Sequence, residues 1–72
     1  MKARDWFTDE ADFRQLCGDA VSQARTEAAQ EFANKMVQAA KEYGLHAYVS
    51  DKQMAFLCQI ADWAVPEKRD GV

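Results

Sequence analysis

The chain has 72 residues, with nine Lys and Arg against twelve Asp and Glu, for a net charge of −3. That length allows one domain (1–72) near the lower limit of a self-sufficient core, and 49% hydrophobic residues argue for folding rather than disorder. The missing basic excess speaks against a nucleic-acid footprint, and no apolar run approaches the roughly 18 residues of a membrane span.

The first residues, MKARDWFTDEADF, carry acids where a signal peptide has none and lack an apolar core. The expectation is a cytoplasmic chain whose N-terminus belongs to the fold. The acidic excess lies in residues 1–31, while residues 32–72 are balanced. Such a front end is ordinarily a solvated face; a basic partner is the alternative.

In chain order, Met1 to Phe7 is a lead-in carrying Trp6 and Phe7. Thr8 is the expected N-cap, with Asp9, Glu10 and Asp12 in a first turn where negative charge complements the helix dipole. Phe7 then takes the place of a hydrophobic staple, with its partner near Asp12 or Phe13. The first helix is predicted over 9–17, with Phe13, Leu16 and Cys17 on one side and Gly18 as a weak point or C-terminal cap.

A second helix is predicted over 19–43, stopped by Gly44. From Thr26 to Tyr43 its apolar side chains, among them Ala29, Phe32, Ala33, Met36, Val37 and Ala40, cover roughly half the circumference. Continued backward as helix, the earlier stripe of Phe13, Leu16, Cys17, Ala20 and Ala24 lies roughly 130° away. A break or bend between Gly18 and Thr26 is therefore preferred over one continuous helix.

Leu45 to Val49 reads as a tight, partly apolar connection, with Tyr48 and Val49 packing under the start of the last helix. That helix is predicted over 51–65. Ser50 and Gln53 form a capping box, Val49 is placed to staple against Met54, and Pro66 marks the end. Its apolar arc of roughly 220° is about twice what a surface helix needs. One ridge is Phe56, Ile60 and Trp63; another is Met54, Leu57, Ala61 and Ala64. The charged tail after Pro66 is expected to fray. The fold class is all-α: a small three-helix domain with its last two helices antiparallel.

Chemistry is sparse. Cys17 and Cys58 have no short spacing and read as apolar packing residues; an inter-helix disulfide remains open only for an exported chain. With the single His46 they are too few to ligate a metal. No nucleophile can be placed beside His46, and Ser50 is better used as a cap. The carboxylates Asp9, Glu10 and Asp12 crowd one short turn and cannot flank a substrate. Three scattered glycines make no phosphate loop. No enzyme, cofactor or metal is expected. A helix-turn-helix reading fails on its reader helix, which offers Lys52, Gln53 and Gln59 beside Phe56 and Trp63.

The apolar excess is the stronger signal. Either both ridges are core, one against each preceding helix, or the aromatic ridge is an interface, since Trp is enriched among binding anchors. The interface candidates are Phe56, Ile60 and Trp63, with Trp6 and Phe7 extending the surface and Asp9, Glu10 and Asp12 as an acidic front.

Phe32-Ala33 in an amphipathic helix, the helix-ending Gly44, and Ser50-Asp51-Lys52-Gln53 opening an apolar helix with Leu57 and Ile60-Ala61 resemble a segment recurrent in small accessory proteins of phages and mobile elements. The likeness covers about 30 residues, with Leu45 to Val49 inserted between glycine and serine. It implies a phage-type protein that docks on a host protein, for example a nuclease, a polymerase or a CRISPR complex, and blocks it. The expected function is a non-enzymatic protein-binding module, compatible with a homodimer through the last helix. The alternatives are a nucleic-acid-binding accessory using Lys35, Lys41 and Lys52, and a purely structural homo-oligomer.

Overall fold

A computed structural model of the chain describes residues 1–68. It contains three α-helices: α1 (Glu10–Gln23), α2 (Glu27–Tyr43) and α3 (Asp51–Ala61). The order is that expected, with shifted boundaries. The C-terminal half of α3 lies beside the N-terminal half of α2, where the rings of Phe32 and Phe56 meet at 5.1 Å, so the last two helices are antiparallel in sense. Their close packing, however, is with α1 rather than with each other.

The reason lies in α1. Phe13, Leu16, Cys17 and Ala20 recur at i, i+3, i+4 and i+7, and all four are buried. Helix α2 meets them with Ala33, Met36 and Ala40, a mostly small stripe that lets the two backbones come close. Helix α3 contributes Met54, Leu57, Cys58 and Ala61. Of its two ridges, the one through Met54 and Leu57 is core; Ala64, assigned to the same ridge, lies beyond the helix and is exposed.

Helix α1 begins one residue later than predicted because Asp9, not Thr8, is the N-cap: its Oδ1 accepts the Ala11 N–H at 2.9 Å. Phe7 packs on Phe13, with ring centroids 5.8 Å apart. The helix then runs through Gly18, which lies mid-helix and exposed, to Gln23. Continuing to Gln23 buries Ala20 and adds backbone hydrogen bonds, which together offset the roughly 1 kcal/mol cost of an interior glycine. The break falls at Ala24–Thr26. Ala24 is extended (φ −61°, ψ 127°), and Thr26 Oγ1 accepts the Ala29 N–H at 3.1 Å to cap α2.

The connector is tied to the chain's beginning. A 3-10 turn over Gly44–His46 leads into an extended segment that pairs with the lead-in. The Ala3 N–H donates to the Ala47 carbonyl and the Val49 N–H to the Met1 carbonyl, each at 2.9 Å. Extended backbone sends alternate side chains to opposite faces. Ala47 and Val49 therefore point inward, and Tyr48, expected beneath the last helix, is instead 76% exposed. Lys2 Nζ lies 5.5 Å from its ring centroid.

Helix α3 opens with both halves of the predicted capping box: Gln53 N–H to Ser50 Oγ at 3.1 Å, and Ser50 N–H to Gln53 Oε1 at 2.9 Å. Val49 and Met54 are buried at the staple positions. It ends at Ala61, four residues before the expected boundary. Asp62 is left-handed (φ 61°, ψ 43°), the Trp63 N–H returns to the Cys58 carbonyl at 2.9 Å, and the Asp62 N–H reaches Gln59 at 3.4 Å. This is a Schellman closure with Asp in the place usually held by Gly. Of the tail expected to fray, Arg69 to Val72 lie outside the described residues. Lys68 Nζ pairs with Asp51 Oδ1 at 3.0 Å.

Two glycines make opposite predictions for thermal unfolding, where 1 kcal/mol shifts the midpoint by about 4–8 °C. A Cβ on Gly18 meets nothing within 4 Å, so Gly18→Ala is expected to stabilise by about 1 kcal/mol. Gly44 has φ +57° and ψ −130°, and a Cβ there runs into the Glu10 carboxylate. Gly44→Ala is expected to cost about 1–3 kcal/mol.

Candidate docking cleft between α2 and α3

Helices α2 and α3 each pack on α1 and touch each other only lightly, and a gap is left between them. A cleft of about 460 Å³ lies there, at the end of the bundle where α1 turns into α2. Its walls are the Arg25–Thr26 elbow, Ala29 of α2, and Phe56, Gln59, Ile60 and Asp62 from α3 and its cap. Phe56 is 42% exposed and leans on the half-buried Phe32. Ile60 is half-buried against the core.

The charge pattern of the cleft is specific. Arg25 and Asp62 are exposed on its rim, and neither forms an ion pair with any described residue. The amides of Gln23 and Gln59 add paired donors and acceptors. The lining is thus neutral, with Phe56 and Ile60 among mostly polar side chains, in a chain of net charge −3.

The structure separates the residues grouped by the sequence reading. Trp6 and Phe7 are only 6% and 7% exposed, so these two members of the expected surface are core residues. The 3-10 turn over Ala3–Asp5 turns them inward, closed by the Trp6 and Phe7 N–H groups, both donating to the Ala3 carbonyl at 3.0 Å. Trp63 lies beyond the end of α3, and its Nε1–H donates to Asp19 Oδ2 on α1 at 2.8 Å. It is a half-buried tether between chain segments. Only Phe56 and Ile60 line the cleft.

The acidic front sits at the opposite end of α1, beside Gly44. Asp9 is committed to capping, and Glu10 Oε2 pairs with Arg14 Nη2 at 2.8 Å. Asp12 alone of the three has no side-chain partner among the described residues. Arg25 and Asp62 escaped the sequence reading. The signal for Arg25 was Thr26 followed by Glu27, an N-cap and acidic first turn that leave the preceding residue outside any helix.

Other chemistry is limited. Among the described residues no group of three or more His, Cys, Asp and Glu is arranged to hold a metal ion. His46 is exposed in the connector, and Ser50 Oγ is occupied by its cap bond. A second, smaller groove of about 210 Å³ between α1 and α2 has Cys17, Val37 and Ala40 in its lining, with Arg14 and Lys41 at its sides. Burial pushes the Cys17 thiol up to about 12 from 9.0, against a small opposing pull from a backbone hydrogen bond. Burial also raises Cys58, whose Sγ lies 3.9 Å from Met54 Sδ. Both cysteines are free. They are protonated packing groups at neutral pH, not nucleophiles. No described helix is long and apolar enough to cross a membrane.

Two predictions follow from these placements. Trp63→Phe keeps the ring but removes the donor to Asp19, and is expected to cost about 1 kcal/mol in chemical denaturation. Asp19→Asn retains an oxygen acceptor and should cost less. For Cys17, the thiol is protonated in both folded and unfolded chains below pH 9.0 and contributes no pH dependence there. Between 9.0 and about 12 the unfolded chain loses the proton while the folded one keeps it, so stability falls as pH rises. Cys17→Ala should flatten that slope relative to the parent chain.

No protein-family model, curated protein or solved structure matches this chain in comparisons with each.

Proposed function

We propose that the chain is a non-enzymatic protein-binding module that docks through the cleft between α2 and α3. The observation that carries this reading is Phe56, a large aromatic left 42% exposed on the wall of a concave site although a core is available beside it. A partly exposed aromatic ring in a concave site is the kind of side chain that carries a large share of binding energy. The partner chemistry that fits is a protein surface with an apolar side chain flanked by one acid and one base, matching Arg25 and Asp62.

The phage-type role, docking on a host protein and blocking it, rests on the sequence resemblance through Phe32-Ala33, Gly44 and Ser50 to Gln53. Support for a protein rather than a nucleic-acid ligand is electrostatic. The cleft is neutral, and phosphate binding draws on clustered Lys and Arg and weakens steeply with salt.

Phe56→Ala separates a binding role from a packing role. The ring is partly exposed and pairs with Phe32, so its loss should cost about 1.5–3 kcal/mol of stability, part from lost burial and part from the ring pair, with helicity retained. Affinity for the partner should fall at least about tenfold, as for an anchor residue, and binding should change little between 50 and 200 mM salt. Binding that is unaffected by Phe56→Ala, or lost over that salt range, overturns the reading.

A further inference from the structure

We infer that the cleft is closed by a second copy of the same chain, related by a twofold axis; this names the partner of the site just proposed and rests on that proposal. A twofold contact puts the same patch on both sides, so every group must find its complement within its own set. The cleft meets that condition. It offers one cation, Arg25, and one anion, Asp62, neither paired with any described residue. Across a twofold axis Arg25 of each copy faces Asp62 of the other. The amides of Gln23 and Gln59 are self-complementary, and Phe56 is placed to cross the axis beside Ile60.

Charge also favours this patch over the acidic turn at the start of α1. Two copies of a chain with net charge −3 repel, and the repulsion is weakest where the facing surfaces are locally neutral. The acidic turn at Asp9, Glu10 and Asp12 lies at the far end of α1. It stays away from the contact, outside the pair.

The test is molar mass by light scattering and native mass spectrometry across about 1 μM to 1 mM, the range in which contacts of modest strength assemble. The parent chain should approach twice its 8.2 kDa mass. Arg25→Asp and Asp62→Lys should each weaken pairing at least about tenfold, because each sets like charges opposite one another twice. An equimolar mixture of the two variants should restore a dimer of one copy of each, since acids then face bases at both contacts. Lysine at the left-handed position 62 carries backbone strain, so Asp62→Asn, tolerated there, provides a charge-neutral check with intermediate weakening. Circular dichroism confirms that each variant folds. A parent chain that stays monomeric at 1 mM, or a mixture that does not reassociate, overturns the twofold pairing and leaves the cleft open to a different protein. A dimer that survives Phe56→Asp and both charge reversals places the contact elsewhere, overturns the twofold pairing through the cleft, and leaves the cleft's docking of a different protein to the Phe56→Ala binding test.

Discussion

Phe13, Leu16, Cys17 and Ala20 form one stripe on α1, and burying that stripe from two sides draws the chain together. Helix α2 covers it with alanines and Met36, and α3 covers it with Met54, Leu57, Cys58 and Ala61. Small residues on α2 matter because they allow close backbone approach, which fully excludes water from Phe13 and Leu16. A core of this kind depends on shape more than on bulk. With α1 shared, α2 and α3 touch each other only lightly, and the cleft lies between them.

The chain's two short extended pieces and its caps fix how the helices arrive. The Met1–Ala3 lead-in and the Ala47–Val49 connector hydrogen-bond to each other, burying Ala3, Ala47 and Val49 and seating Trp6 and Phe7 in the core. At the other end, the Schellman closure at Asp62 reverses the chain so that Trp63 reaches Asp19. Each device satisfies backbone groups that a helix end leaves without partners. Together they tie both ends of α3 to the α1 side of the molecule, and Phe56 is left on the opposite side.

The cleft brings together a partly exposed aromatic ring, the half-buried Ile60, and a cation and an anion that form no ion pair with any described residue. The acidic turn at the start of α1 has none of these, and two of its three carboxylates are already occupied by a cap and an ion pair. The docking proposed for this protein centres on Phe56 and Ile60, with Arg25 and Asp62 on the rim.

Local chemistry was legible in the sequence. The three helices, the capping box at Ser50 and Gln53, the stop at Gly44 and the break before Thr26 all depend on neighbours within a few residues, and the pattern of side chains was enough to read them. The boundaries that moved did so for tertiary reasons. Helix α1 continues past Gly18 because Ala20 has a core to enter, and α3 ends before Pro66 because Trp63 has a partner on α1. Periodicity alone counted Trp6, Phe7, Phe56, Ile60 and Trp63 as one apolar excess. Only the packed structure divided them, sending the first two into the core, tethering Trp63 to Asp19 and leaving Phe56 exposed. The apolar character of a side chain is written in its own chemistry, but whether that side chain is covered depends on which distant segment lies over it.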